Sequence, residues 1–185
     1  MNQRKSLLQI KSFIAEKSTR GRMVRLVCFL FLYYLAGLLR PYYEFLADNS
    51  NDVVNQWLSK IIATISTEFL RPFYHNISFN SRFTITINGL SPIELHPGCN
   101  GFNNIARIIL TLCFYPIPII KKLFLFPISF LIVLFAATIH FLILIPVAYE
   151  VPDLYGFAHS WFTHIVFYMF YFSCWFLWEK WGWNY

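Results

Sequence analysis

The apolar positions of this chain fall into four long runs separated by polar stretches, and the runs predict its architecture. The first, "MVRLVCFLFLYYLAGLL", starts at Met23 and stops before Arg40 and Pro41. About 17–20 such residues suffice to cross roughly 30 Å of hydrocarbon. A second run covers about 102–120, where Pro116 and Pro118 should kink or end the helix. A third covers about 123–149, long enough to tilt. The fourth, about 158–178, closes in "WEKWGWNY", an aromatic belt with a lysine of the kind found at a membrane interface. Residues 47–98 read as mostly extramembrane. After the polar cluster "DNSND", Val54, Trp57, Leu58, Ile61, Ile62 and Ile65 recur at helical spacing, which predicts an amphipathic helix lying at the interface. Phe83, Ile85 and Ile87 then alternate with Thr84, Thr86 and Asn88, and Asn88-Gly89 offers a turn. That pattern predicts a small β-hairpin leading straight to Cys99.

The expected fold class is therefore an all-α integral membrane protein. It has about four transmembrane helices (about 23–42, 102–120, 123–149 and 158–178), an interfacial helix and a small extramembrane hairpin. Residues 1–22 form a basic segment ahead of this membrane domain, which covers 23–185. Leu7, Leu8, Ile10, Phe13 and Ile14 give the segment an amphipathic face suited to the membrane surface.

Composition sharpens this picture. The chain is 185 residues long, 57% hydrophobic and only 13% charged, against about 25% charged in an ordinary soluble domain. The net charge is +6, and seven of the fifteen basic residues (Arg4, Lys5, Lys11, Lys17, Arg20, Arg22, Arg25) precede or open the first run. A basic arm of this kind binds nucleic acid or anchors a membrane protein on its cytoplasmic side. The apolar runs favour the anchor, so membrane lipid and not nucleic acid is the expected partner. Residues 41–98 carry five acidic and three basic residues and fall outside. Lys121 and Lys122 return inside, Glu150 and Asp153 lie outside, and Lys180 lies inside. Both termini are then cytoplasmic. The first run lacks a small-x-small cleavage site, which predicts a retained helix and not a cleaved leader.

Against this background "ELHPGCNGFNNIARI", Glu94 to Ile108, is unusually polar. No CxxC pair exists among Cys28, Cys99, Cys113 and Cys174, so zinc-ribbon and thioredoxin readings fail, and neither metal nor cofactor is implied. Only Cys99 has polar, turn-forming neighbours. The topology places Cys99 at the outer end of the second span and His159 at the outer end of the fourth. His140 lies inside the third span, ten residues before Glu150 and so about 15 Å along the helix from its outer end. A thiol attacks as thiolate, and an imidazole can take its proton. Cys99 suits a nucleophile and His159 its base. His140, or a backbone N–H near Gly101, suits the donor for a developing oxyanion. The turn at Pro97–Gly101 would seat the sulfur at a helix N-terminus, whose dipole favours the thiolate. Arg107 and Asn100 are auxiliary candidates. Arg107 sits about two helical turns below Cys99, within the second span, and must pair or snorkel. Each residue also has a plainer reading. The turn serves equally as a strand-to-helix connection, His140 as a partner for a neighbouring helix, and His159 and His164 as interfacial histidines. His75 and His96 lie in loop-like sequence.

Cys99-Asn100-Gly101 opening a helix, and His159 in "LYGFAHSWF" opening the last span, resemble the exosortase/archaeosortase family, particularly its short forms of the Bacteroidetes type. The resemblance covers about residues 25–180. It implies an integral-membrane cysteine protease or transpeptidase of a bacterial inner membrane. Such an enzyme cleaves C-terminal sorting signals of exported proteins at the outer face, and its partner is a substrate bearing a C-terminal hydrophobic helix. Where the family has an N-x-x-R-I helix, this chain reads Ala137-Thr138-Ile139-His140-Phe141, so His140 stands at the arginine position. The implied catalytic set is Cys99, His140 and His159. Two other functions fit the same runs: a catalytically silent relative that binds a partner helix or assists surface export, and, ranked last, a small transporter subunit.

Overall fold

The structure is a computed structural model that describes residues 19–42, 53–74, 76–79, 84–87, 93–94 and 101–182. The amphipathic stretch before residue 19, the Asn88-Gly89 turn, Phe83, His75, His96, Cys99 and Asn100 lie outside the described residues, as does the side chain of Glu94. Among the described residues the chain is mostly helical, with one small antiparallel sheet.

The first apolar run forms α1, Thr19–Leu38, which starts four residues before Met23. The second forms α3, Phe102–Phe114, and ends sooner than the predicted boundary near residue 120. Pro116 and Pro118 explain this: the residue before a proline is driven out of the helical region, and Tyr115 is extended at φ −63°, ψ 138°. With 13 residues, α3 is only about 20 Å long. The third run forms α4, Ile119–Glu150, which takes Lys121 and Lys122 into its first turn and tolerates Pro127 and Pro146. Pro152–Leu154 turn as a short 3₁₀ segment, Tyr155–Phe157 as one helical turn and Ala158–Phe162 as a π-turn. The chain continues as α5, Thr163–Gly182. Two helices, α1 and α4, are long and apolar enough to cross a membrane.

The polar stretch supplies α2, Val53–Leu70, and strands β1 (Ile77–Phe79), β2 (Thr84–Ile87) and β3 (Ile93–Glu94). The strands form an antiparallel meander, with Ile77 opposite Ile87 and Ile85 opposite Ile93. Ile77, Ile85 and Ile87 are buried, so the alternation in the sequence does mark an inner face. The face of α2 is turned from the stripe its sequence suggests. Leu58 and Ile62 are buried as expected, together with Asn55, Ser59, Ala63, Ser66, Thr67 and Leu70. Val54, Trp57 and Ile65 are exposed. Small side chains let α2 approach α4 closely. The larger apolar groups are left on the outer surface, beside the polar stripe of Gln56, Lys60, Thr64 and Glu68.

Helix α4 is the hub, packed against α2, α3 and α5, while α1 lies on α3. One end of the molecule is fastened by aromatic and ionic contacts. Trp178 is fully buried between Phe29, at 5.5 Å between ring centroids, and Tyr115, at 5.4 Å. Its Nε1–H donates to Ser129 Oγ at 2.9 Å. Arg25 Nε donates to Glu179 Oε2 at 2.7 Å, and Nη2 reaches Oε1 of the same carboxylate. Lys121 Nζ donates to the Gly182 carbonyl at 3.1 Å. At the opposite end, the Tyr74 hydroxyl donates to Glu150 Oε1 at 3.3 Å. Burial, and then the neighbouring Glu150 carboxylate, hold the Tyr74 pKa above the usual tyrosine range.

Candidate functional site

The turn that follows Cys99 is anchored on α4. Gly101 is buried in the left-handed region at φ +79° and stands immediately before α3. A side chain there would cost about 1–2 kcal/mol of backbone strain. Its Cβ would also stand 3.0 Å from Ala137 Cβ. Glycine on one side and alanine on the other thus let the head of α3 seat directly on α4. Ala137 is three residues before His140, so the head of α3 and the imidazole share one turn of α4.

His140 does not face outward. It is 1% exposed and enclosed by Phe141 and Phe167, at 5.4 and 5.7 Å between ring centroids. The His159 ring faces it at 5.9 Å, and Tyr155 flanks His159 at 5.8 Å. His159 is half-buried, so the pair runs from the core toward the surface. His140 Nε2 is 2.6 Å from Thr163 Oγ1, whose own hydroxyl hydrogen-bonds the His159 carbonyl. His159 belongs to the π-turn that precedes α5. Such turns widen a helix locally and recur at functional sites.

The structure brings His140 and His159 together with the Gly101 turn. Arg107 is placed elsewhere. Its guanidinium lies over the Tyr33 ring, 5.8 Å from the centroid. A Cβ on Gly37 would meet its Cζ at 3.6 Å. Arg107 is thus directed at α1, over Tyr33, whose ring also packs against Tyr171 of α5 at 4.7 Å between centroids. His164 is exposed and hydrogen-bonded through Nδ1 to the Ser160 carbonyl, within its own helix. Among the described residues no group of three His, Cys, Asp or Glu is arranged to hold a metal ion. Thr163 was not recognisable as part of the site. Its one sequence cue is its place four residues after His159, where a threonine hydroxyl reaches back to the i−4 carbonyl.

No family model matches the chain, and neither a curated protein nor a solved structure is significantly similar to it.

Proposed function

We propose that this chain is a four-span inner-membrane cysteine peptidase or transpeptidase, acting on the C-terminal hydrophobic helix of exported proteins at the outer membrane face. The observation that carries this reading is the pairing of His140 with His159 beside the glycine turn that follows Cys99. Two independent features agree with the placement. The fastened end carries Arg20, Arg22, Arg25, Lys121, Lys122 and Lys180, as a cytoplasmic end should, whereas Glu150 and Asp153 lie at the other. His140 comes 17 residues after Leu123, about 26 Å along a helix, and ten before Glu150, about 15 Å from its end, which puts it in the outer half of the span. Ile165, Met169, Phe172 and Phe176 give α5 an exposed apolar side suited to lipid contact. The apolar outer stripe of α2 beside its polar stripe suits an interfacial helix.

In this reading Cys99 attacks the scissile carbonyl and forms a thioester. His159 takes the thiol proton and returns it to the leaving amine. Backbone N–H groups at the head of α3 receive the oxyanion. Water or an acceptor amine then releases the product. The test is reactivity. In the purified protein an electrophilic thiol probe should modify Cys99 at least about tenfold faster than a free reference thiol near neutral pH, because a paired thiolate is the attacking species. His159→Ala should bring the rate back to that of the reference. Reference-rate labelling of Cys99 throughout pH 6–9 would favour the catalytically silent reading.

A further inference from the structure

The hydrogen bonds around Thr163 define how His140 takes part, and this deepens the reading just given. A threonine hydroxyl has one proton. That proton goes to the His159 carbonyl, because a carbonyl oxygen can only accept. Thr163 Oγ1 therefore meets His140 as an acceptor, and the ring nitrogen 2.6 Å away, Nε2, carries the hydrogen. In a neutral imidazole the other nitrogen, Nδ1, is then a bare acceptor. Nδ1 is buried and has no hydrogen-bond partner among the described residues. A buried acceptor without a donor is costly, so this atom is aimed at a group that arrives.

We propose that Thr163 is a positioning residue that fixes His140 as the Nε2–H tautomer, so that His140 enters the reaction as a hydrogen-bond acceptor through Nδ1. The ring's single N–H is committed to Thr163 and is not available to an oxyanion. This departs from the donor role that the sequence offers His140, and leaves that task to the backbone at Gly101. A histidine at the position that the resemblance gives to an arginine would then act in the opposite sense. The fork of an arginine only donates, whereas this imidazole accepts. The donors the reaction presents are the thiol S–H before attack and the N–H of His159 once it has taken that proton. The His159 ring is already close. Two imidazoles joined by an N–H···N bond of about 3 Å have centroids roughly 5 Å apart, and here they stand at 5.9 Å. Catalytic hydrogen bonds commonly tighten only when substrate is bound. Because Thr163 is tied to the His159 carbonyl, the π-turn holds both rings in one frame.

The experiment is nitrogen NMR on the detergent-solubilised full chain, selectively labelled at histidine, with His140→Gln to assign the resonance. Wild type should show His140 as the Nε2–H tautomer. Thr163→Val, which keeps the shape and removes the hydroxyl, should mix the tautomers and slow Cys99 labelling about tenfold. Thr163→Ser should restore both. A wild-type His140 found as the Nδ1–H tautomer or as the cation overturns the proposal, and this needs no variant to fold. So does a Thr163→Val protein with wild-type tautomer and labelling rate. The tautomer is read without reference to Cys99. An unreactive thiol beside the expected tautomer response counts against the peptidase reading and leaves the positioning by Thr163 supported.

Discussion

Cells in which Cys99→Ala replaces the wild-type protein should accumulate exported proteins that still carry their C-terminal hydrophobic helix. Removing the nucleophile of a catalytic unit costs up to about 10⁶ in turnover, so processing should fall below detection. No other described cysteine can substitute. Cys28 is half-buried in α1, Cys113 is exposed at the far end of α3, and Cys174 is fully buried in α5. Cys113 lies at the end of α3 away from Gly101, so α3 would have to reverse to bring it to the Gly101 turn. Quantifying C-terminal peptides from membrane and surface fractions of wild-type, deletion and Cys99→Ala cells checks this. Equal processing by the variant would remove the basis for a peptidase.

Glu179→Ala should be the most destabilising single change away from the site. Arg25 is 2% exposed and Glu179 13%, and they meet through a two-pronged contact between the first and last helices. Removing one partner of a buried pair takes charge compensation away from the other and typically costs about 3–5 kcal/mol. At roughly 2–4 °C per kcal/mol for a chain of this size, the unfolding midpoint should drop by about 10 °C. Arg25→Met combined with Glu179→Leu should recover most of the loss, since an apolar pair of similar volume leaves no charge unpaired. Thermal unfolding of the three variants in detergent makes the comparison. A midpoint for Glu179→Ala within a degree of wild type would show that the pair contributes little.

Much of this arrangement could be read from the sequence because it rests on local rules. The start of α3 at Phe102, its end before Pro116 and the inward isoleucines of the sheet each follow from backbone restriction or two-residue alternation. What escaped were relations between distant residues. The bond between Arg25 and Glu179 joins residues 154 apart, and no local pattern links them. The face that α2 buries could not be read from apolar spacing, because that helix carries apolar residues on both sides. Ser59, Ala63, Ser66 and Thr67 are buried beside Leu58, Ile62 and Leu70, and a hydrophobicity pattern does not pick them out. At the site, the two histidines could be named in advance. The tautomer could not, because it depends on Thr163 and on a π-turn that shifts the register of the last helix. Arg107 could be flagged as unusual, but its orientation toward Gly37 and Tyr33 follows from how α1 lies on α3.

The central claim is that Cys99 forms a covalent acyl intermediate beside His159, and acid-quenched membranes test it most directly. In wild-type protein digested after quenching, a fraction of the Cys99 peptide should carry a peptidyl adduct that hydroxylamine releases, as a thioester requires. The adduct should be absent from Cys99→Ala. Processing of exported proteins that continues with the Cys99 peptide entirely unmodified, at early and late quench times alike, would contradict the account.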